Sequence, residues 1–173
     1  MQPQQAFTAT WARFIDLLTA QSPEHLQHIR PPAARAALAE AEQRLKCNLP
    51  EELRQLYSLA DGFVAGAYLL RDDYRLLPLG EVVEASLALV GEPVVLDELA
   101  GEIAVAKKVI RLVFAQAKED DADISQISMR LWPKKRPSVE VWYRAGGVHD
   151  FEEVVDWQES LSTWLEGCLE YYV

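Results

Sequence analysis

The chain has 173 residues, 50% of them hydrophobic and 25% charged, the composition of a soluble globular protein with enough apolar material for one core. Its start, Met1 to Gln5, has no basic segment followed by an apolar run, and no stretch reaches the roughly 18 apolar residues of a membrane span. A single cytoplasmic domain over 1–173, with no membrane segment and a formal net charge of −10, is therefore expected to repel nucleic acid and attract basic partners.

The charge is unevenly distributed. Residues 1–60 hold six Lys/Arg and six Asp/Glu, leaving 11 basic and 21 acidic side chains in residues 61–173. The whole excess of negative charge thus lies in the second part of the chain.

In chain order, residues 6–20 predict an amphipathic helix, because Phe7, Trp11, Phe14, Ile15 and Leu18 share one face of a 3.6-residue period. Gln21-Ser22-Pro23 ends it, and Ser22 is suited to cap a short following turn with Pro23 in first position. His25 and His28 stand three apart in that turn. With no second cluster to complete a metal site, they read as surface polar residues. After Pro31-Pro32 an Ala-rich helix is expected over about 33–46, with Ala34, Ala37, Leu38, Ala41 and Leu45 as its buried stripe. Asn48-Leu49 breaks it. Pro50 then starts another helix, where its missing N–H costs nothing, and Glu51 and Glu52 suit its positive end. Leu53, Leu56, Tyr57 and Ala60 form the inward face. Asp61-Gly62 stops the helix, with Gly62 suited to a left-handed cap.

Beyond this point the period shortens. Residues 63–70 read as a first strand, Arg71-Asp72-Asp73 as a polar turn, and Tyr74 to Leu79 as a second strand ended by Pro78 and Gly80. Residues 81–90 suit a helix packed through Val82, Val83, Ala85 and Leu89. Within 91–108, Val94-Val95-Leu96 suits a strand and Asp97 to Lys108 a helix, with Gly101 and a weak period leaving the stretch open. Val109 to Ala115 is a β-branched strand. Lys118 to Asp123 reads as a solvated loop. Ile127, Met129 and Leu131, then Val139, Val141 and Tyr143, alternate with their neighbours as two strands of an antiparallel hairpin. Residues 133–137 form its turn. Ala145-Gly146-Gly147 turns again, and Val148 to Val155 adds an edge strand. The last helix has Asp156 and Glu159 in the pattern of an acidic capping box, followed by a stripe of Leu161, Trp164, Leu165, Cys168, Leu169 and Tyr172. The order is α+β: N-terminal helices, a mixed and mostly antiparallel sheet, and a closing C-terminal helix.

No catalytic chemistry is legible. Cys47 and Cys168 each fall at or near a helix packing position, and no paired base is legible to activate either, so both read as buried structural thiols. Neither a phosphate-binding glycine loop nor a nucleophile elbow is present. The acidic pairs Asp72-Asp73, Asp120-Asp121 and Glu152-Glu153 read as solvated charges. Lys134-Lys135-Arg136 reads as an exposed turn that resists aggregation. No cofactor, metal or catalytic residue is expected.

Within residues 42–62, Glu42, Leu45, Leu49-Pro50, Leu53, Leu56-Tyr57 and Asp61-Gly62 resemble the opening motif of the SUKH superfamily, the Smi/Knr-type domain. Lys46 stands where that pattern usually has glycine, and residues 91–135 lack its Trp- and Gly-rich strand pattern. Leu76 to Val82 is similar to the family's short strand leading into a helix, and Ser160 to Leu165 to its closing helix. The resemblance implies a sheet packed by helices that acts by binding. The compact size looks like the bacterial members that act as immunity proteins, blocking secreted toxins that are often nucleases. The alternative it implies is a regulatory or scaffold module. A nuclease is basic, so an acidic inhibitor complements it. On that reading Asp72, Asp73, Glu119, Asp120, Asp121 and Asp123 are the candidate residues for binding a basic toxin domain.

Overall fold

The computed structural model describes residues 3–70, 74–89, 94–97, 102–104, 110–117, 124–131, 138–144, 152–158 and 160–170. Helix α1 spans Pro3–Gln21 and buries Phe7, Trp11, Phe14 and Leu18, with Ile15 half-buried beside them, as its period predicts. A 3₁₀ helix follows over Pro23–His28. Ser22 precedes it without a side-chain cap bond; its backbone carbonyl accepts from His25 N instead, at 2.9 Å.

Helix α2 runs over Arg35–Leu45 and buries Ala41 and Leu45. Ala34 and Ala37, expected in the buried stripe, are exposed. Their side of the helix opens onto a cleft. The helix stops at Lys46, which takes a left-handed φ of 54°. Helix α3 covers Glu51–Leu59, with Pro50 at its N-cap and not at its first helical position. Leu53, Leu56 and Tyr57 are fully buried, each such side chain contributing about 1.5–3 kcal/mol of hydrophobic stabilisation.

Gly62 does not cap α3. The helix ends at Leu59, and Ala60 is already extended. Gly62 has a φ of +69°, and a Cβ there would lie 2.6 Å from the carbonyl carbon and oxygen of Leu77. Both the conformation and the space demand glycine. Residues 63–70 are not a strand. Phe63 makes an isolated bridge to Ile29 and Leu70 one to Tyr74, while Val64 to Ala67 closes a turn through Gly66 at φ +79°. The apolar run fills the core as a loop, with Phe63, Ala67, Leu69 and Leu70 buried.

Strand β1 is short, Tyr74–Leu76. The expected continuation to Leu79 is replaced by helix α4, Leu79–Ala88, with Pro78 as its N-cap. Proline's fixed φ suits this position, and the helix takes up Leu79 and Gly80. Strands β2 (Val94–Asp97) and β3 (Glu102–Ala104) form an antiparallel pair, so the helix read over Asp97 to Lys108 is overturned at these residues by local strand pairing. The main sheet adds β4 (Ile110–Ala117), β5 (Ile124–Leu131), β6 (Ser138–Arg144) and β7 (Glu152–Gln158). Its order is β1-β4-β5-β6-β7, and every described pairing is antiparallel. The hairpin of β5 and β6 and the edge position of β7 match the sequence reading.

Helix α5 covers Leu161–Leu169. Its N-cap is Ser160, whose Oγ accepts from Thr163 N at 3.1 Å. Asp156, the expected cap, lies inside β7, because the strand runs on to Gln158. Leu161, Trp164, Leu165, Cys168 and Leu169 are buried, while Tyr172 is outside the described residues. The Trp164 ring meets Phe114 edge-on at 5.3 Å and Tyr74 at 6.4 Å, which fastens α5 to β4 and β1. Leu112 to Ala115 are buried in succession, so β4 is covered on both faces. The ladder shifts register between Val113 and Ala115. There Val113 N donates to Ser86 Oγ of α4 at 3.1 Å, and Phe114 O accepts from Leu77 N at 2.8 Å. Replacing Gly62 with alanine forces this packing apart; Gly62→Ala is expected to cost at least about 2 kcal/mol in urea unfolding, from strain and backbone displacement.

Candidate functional site

The acids of the 42–62 motif are engaged in holding helices. Glu42 Oε1 accepts from Leu49 N at 2.9 Å, just ahead of α3, and pairs with the Arg54 guanidinium. Glu52 Oε2 accepts from Leu161 N at 2.9 Å, and its Oε1 from Ser162 Oγ at 3.0 Å, so it caps α5 from α3. Asp61 Oδ1 accepts from Leu79 N at 2.8 Å and caps α4, while its Oδ2 pairs with Arg30 at 3.1 Å. An anionic acceptor at a helix N-terminus satisfies orphan N–H groups and meets the positive end of the dipole. These carboxylates are therefore committed to structure.

The buried titratable groups have structural surroundings too. Tyr57 is fully enclosed, and its hydroxyl donates to Leu77 O at 3.0 Å. Burial, then the Asp61 and Glu81 charges, push its pKa well above the ordinary phenol value. Burial and the Glu42 charge raise the Cys47 thiol, which suppresses the thiolate a nucleophile needs. Cys168 is buried in α5.

Clefts indent the described surface. One, of about 420 Å³, lies between α2, the start of α4 and the Pro31-Pro32 segment. Ala34 and Ala37 line it, with Arg30, Glu40 and Arg44. Arg30 is held by Asp61 and Arg44 by Glu84. The second, of about 530 Å³, lies between the 3₁₀ helix and the 65–69 loop and is lined by His25, His28 and Tyr68. The sequence reads this pair of histidines as surface polar residues; the structure puts their rings 6.1 Å apart. Among the described residues no group of three or more His, Cys, Asp or Glu is placed to hold a metal, and no helix is long and apolar enough to cross a membrane.

The six candidate acids, Asp72, Asp73, Glu119, Asp120, Asp121 and Asp123, all lie outside the described residues, as do Lys134, Lys135 and Arg136. Their described neighbours have a definite arrangement. Tyr74, which follows the first acidic pair, is the direct ladder partner of Ala117, which precedes the second acidic run. Ile124, which follows that run, starts β5 at the same end of the sheet, beyond the Gln116–Gln126 pair. Leu131 and Ser138, which border the basic turn, lie at the opposite end, where Leu131 pairs with Ile110 and Ser138 with Arg130.

A helical part whose carboxylates cap α4 and α5, packed with an antiparallel sheet, defines an α+β domain. The model of the SMI1 / KNR4 family (SUKH-1) matches residues 32–167, and the chain belongs to that family. No curated protein matches it.

Two outcomes test the structural roles. Glu52→Ala strips the α5 cap and is expected to cost about 1–3 kcal/mol in chemical unfolding, with Glu52→Gln costing less. For Tyr57, a phenol pKa raised on folding means stability is intact below the unfolded value near 10 and falls as pH rises beyond it, by at most about 1.4 kcal/mol per pH unit. Tyr57→Phe removes this slope. The wild type is thus expected to be the more stable below pH 10 and to lose that advantage above it, read as urea midpoints across the alkaline range.

Proposed function

We propose that this chain is a non-catalytic bacterial immunity protein that captures a basic toxin domain, nucleases being the best-matched class, through acidic residues of its second part. The observation that carries the reading is the pairing of Tyr74 with Ala117. It brings the residues bordering the two acidic segments side by side, in a chain whose net charge is −10. Family membership supports a protein partner over a substrate. An excess of acid on one protein steers a basic partner into contact and accelerates capture, an effect that weakens with salt. The residues at issue are Asp72, Asp73, Glu119, Asp120, Asp121 and Asp123.

The alternative, a regulatory or scaffold module, draws on the same family membership and predicts a cellular enzyme as partner. Co-expression with a toxin domain encoded by a neighbouring gene separates the two, since only an immunity protein restores growth. Replacing the six acids together with their amides is expected to slow association at low salt by tenfold or more and to flatten its salt dependence. Association at an unchanged rate excludes this surface.

A further inference from the structure

We propose that His25 and His28 form a two-imidazole site for a borderline transition-metal dication, Zn²⁺, Ni²⁺ or Cu²⁺. The local fold carries the argument. A 3₁₀ helix has three residues per turn and rises about 2 Å per residue, so side chains at i and i+3 stand directly above one another, about 6 Å apart. His25 and His28 hold that relation within Pro23–His28, and their ring centres are 6.1 Å apart with planes inclined at 51°. Two imidazoles bound at about 2.0–2.1 Å to one tetrahedral zinc have ring centres about 5 Å apart. A small side-chain rotation closes the difference.

The surroundings are suited to an ion. Both histidines line the 530 Å³ cleft, whose opposite wall is Ala65, Gly66, Ala67, Tyr68 and Leu69. The three small residues leave room for an ion with its remaining ligands. Both rings are half-buried, and neither hydrogen-bonds to another described residue, so their nitrogens are available as donors. No Lys or Arg lines the cleft, and the net charge of −10 favours cations around the molecule. The backbone beneath is anchored independently of the rings. His25 N donates to Ser22 O at 2.9 Å, Val64 N to His28 O at 2.9 Å, and Ile29 bridges Phe63. Imidazole suits these ions and not Mg²⁺ or Ca²⁺. With two protein donors the ion keeps open positions, filled by water or by a donor from a docked protein.

The test uses the full chain stripped with chelator and titrated with ZnCl₂ or NiCl₂ alone, followed by calorimetry and by the NMR signals of the imidazole C–H protons. One equivalent is expected to bind, with the His25 and His28 signals shifting together while His149 stays unmoved. His25→Gln and His28→Gln are each expected to weaken binding at least tenfold, and MgCl₂ to give no imidazole response. Both variants keep the backbone bonds that hold this segment, which far-UV circular dichroism checks. Absence of saturable binding, or an affinity unchanged in the His25→Gln/His28→Gln double variant, overturns the site.

Discussion

The molecule depends on one crossing, where Gly62 passes the backbone of Leu77 and Pro78 at a distance that excludes any side chain. The residues on both sides of the crossing are bonded across it. Tyr57 donates its hydroxyl to Leu77 O, Asp61 accepts from Leu79 N, and Phe63 N donates to Leu76 O at 2.9 Å. Arg30 N reaches Gly62 O from behind at 3.0 Å. Helix α3, strand β1, helix α4 and the segment before α2 therefore meet within a few residues. A displacement there breaks several buried bonds together, and each unsatisfied group carries its full desolvation cost.

This crossing explains why the 42–62 motif has the form it has. Its apolar positions fill the core and its glycine permits the crossing, while Glu52 ties α5 to α3 and Asp61 caps α4. The apolar positions were legible because a 3.6-residue period is a local signal. The acids were not, since Glu52 finds its partners 109 and 110 positions away, and no pattern in the helix that carries it reports that distance. Lys46 is a related case. It stands where the family pattern usually has glycine, and its φ of 54° shows the backbone reason for that glycine. A lysine holds the same turn at a modest conformational cost.

The misread segments share a physical cause. Residues 63–70 carry a strand's composition without a strand's partner, so the apolar run packs as a loop. The alanines of α2 have helix propensity but little volume, and propensity does not determine which side is covered. The histidine pair depends on the local helix type. Three residues apart on an α-helix differ by 60° around the axis, whereas on a 3₁₀ helix they eclipse. The acidic candidates could be found by composition, but the ladder register that sets Tyr74 beside Ala117 is a long-range pairing that no local pattern reports.

The charges divide by role. In residues 1–60 the acids and bases are equal in number; Glu42 pairs with Arg54 among them, while Arg30 and Arg44 reach across to Asp61 and to Glu84 of α4. Such pairs add little stability where they are exposed, but they cancel the local field. The excess acid beyond residue 60 has no equal number of bases to cancel it. The long-range potential of the molecule is consequently set by the sheet-bearing part, while the motif that identifies the family contributes almost none of it. The crossing at Gly62, by contrast, is made by backbone and buried side chains, and so depends on close packing and not on that potential.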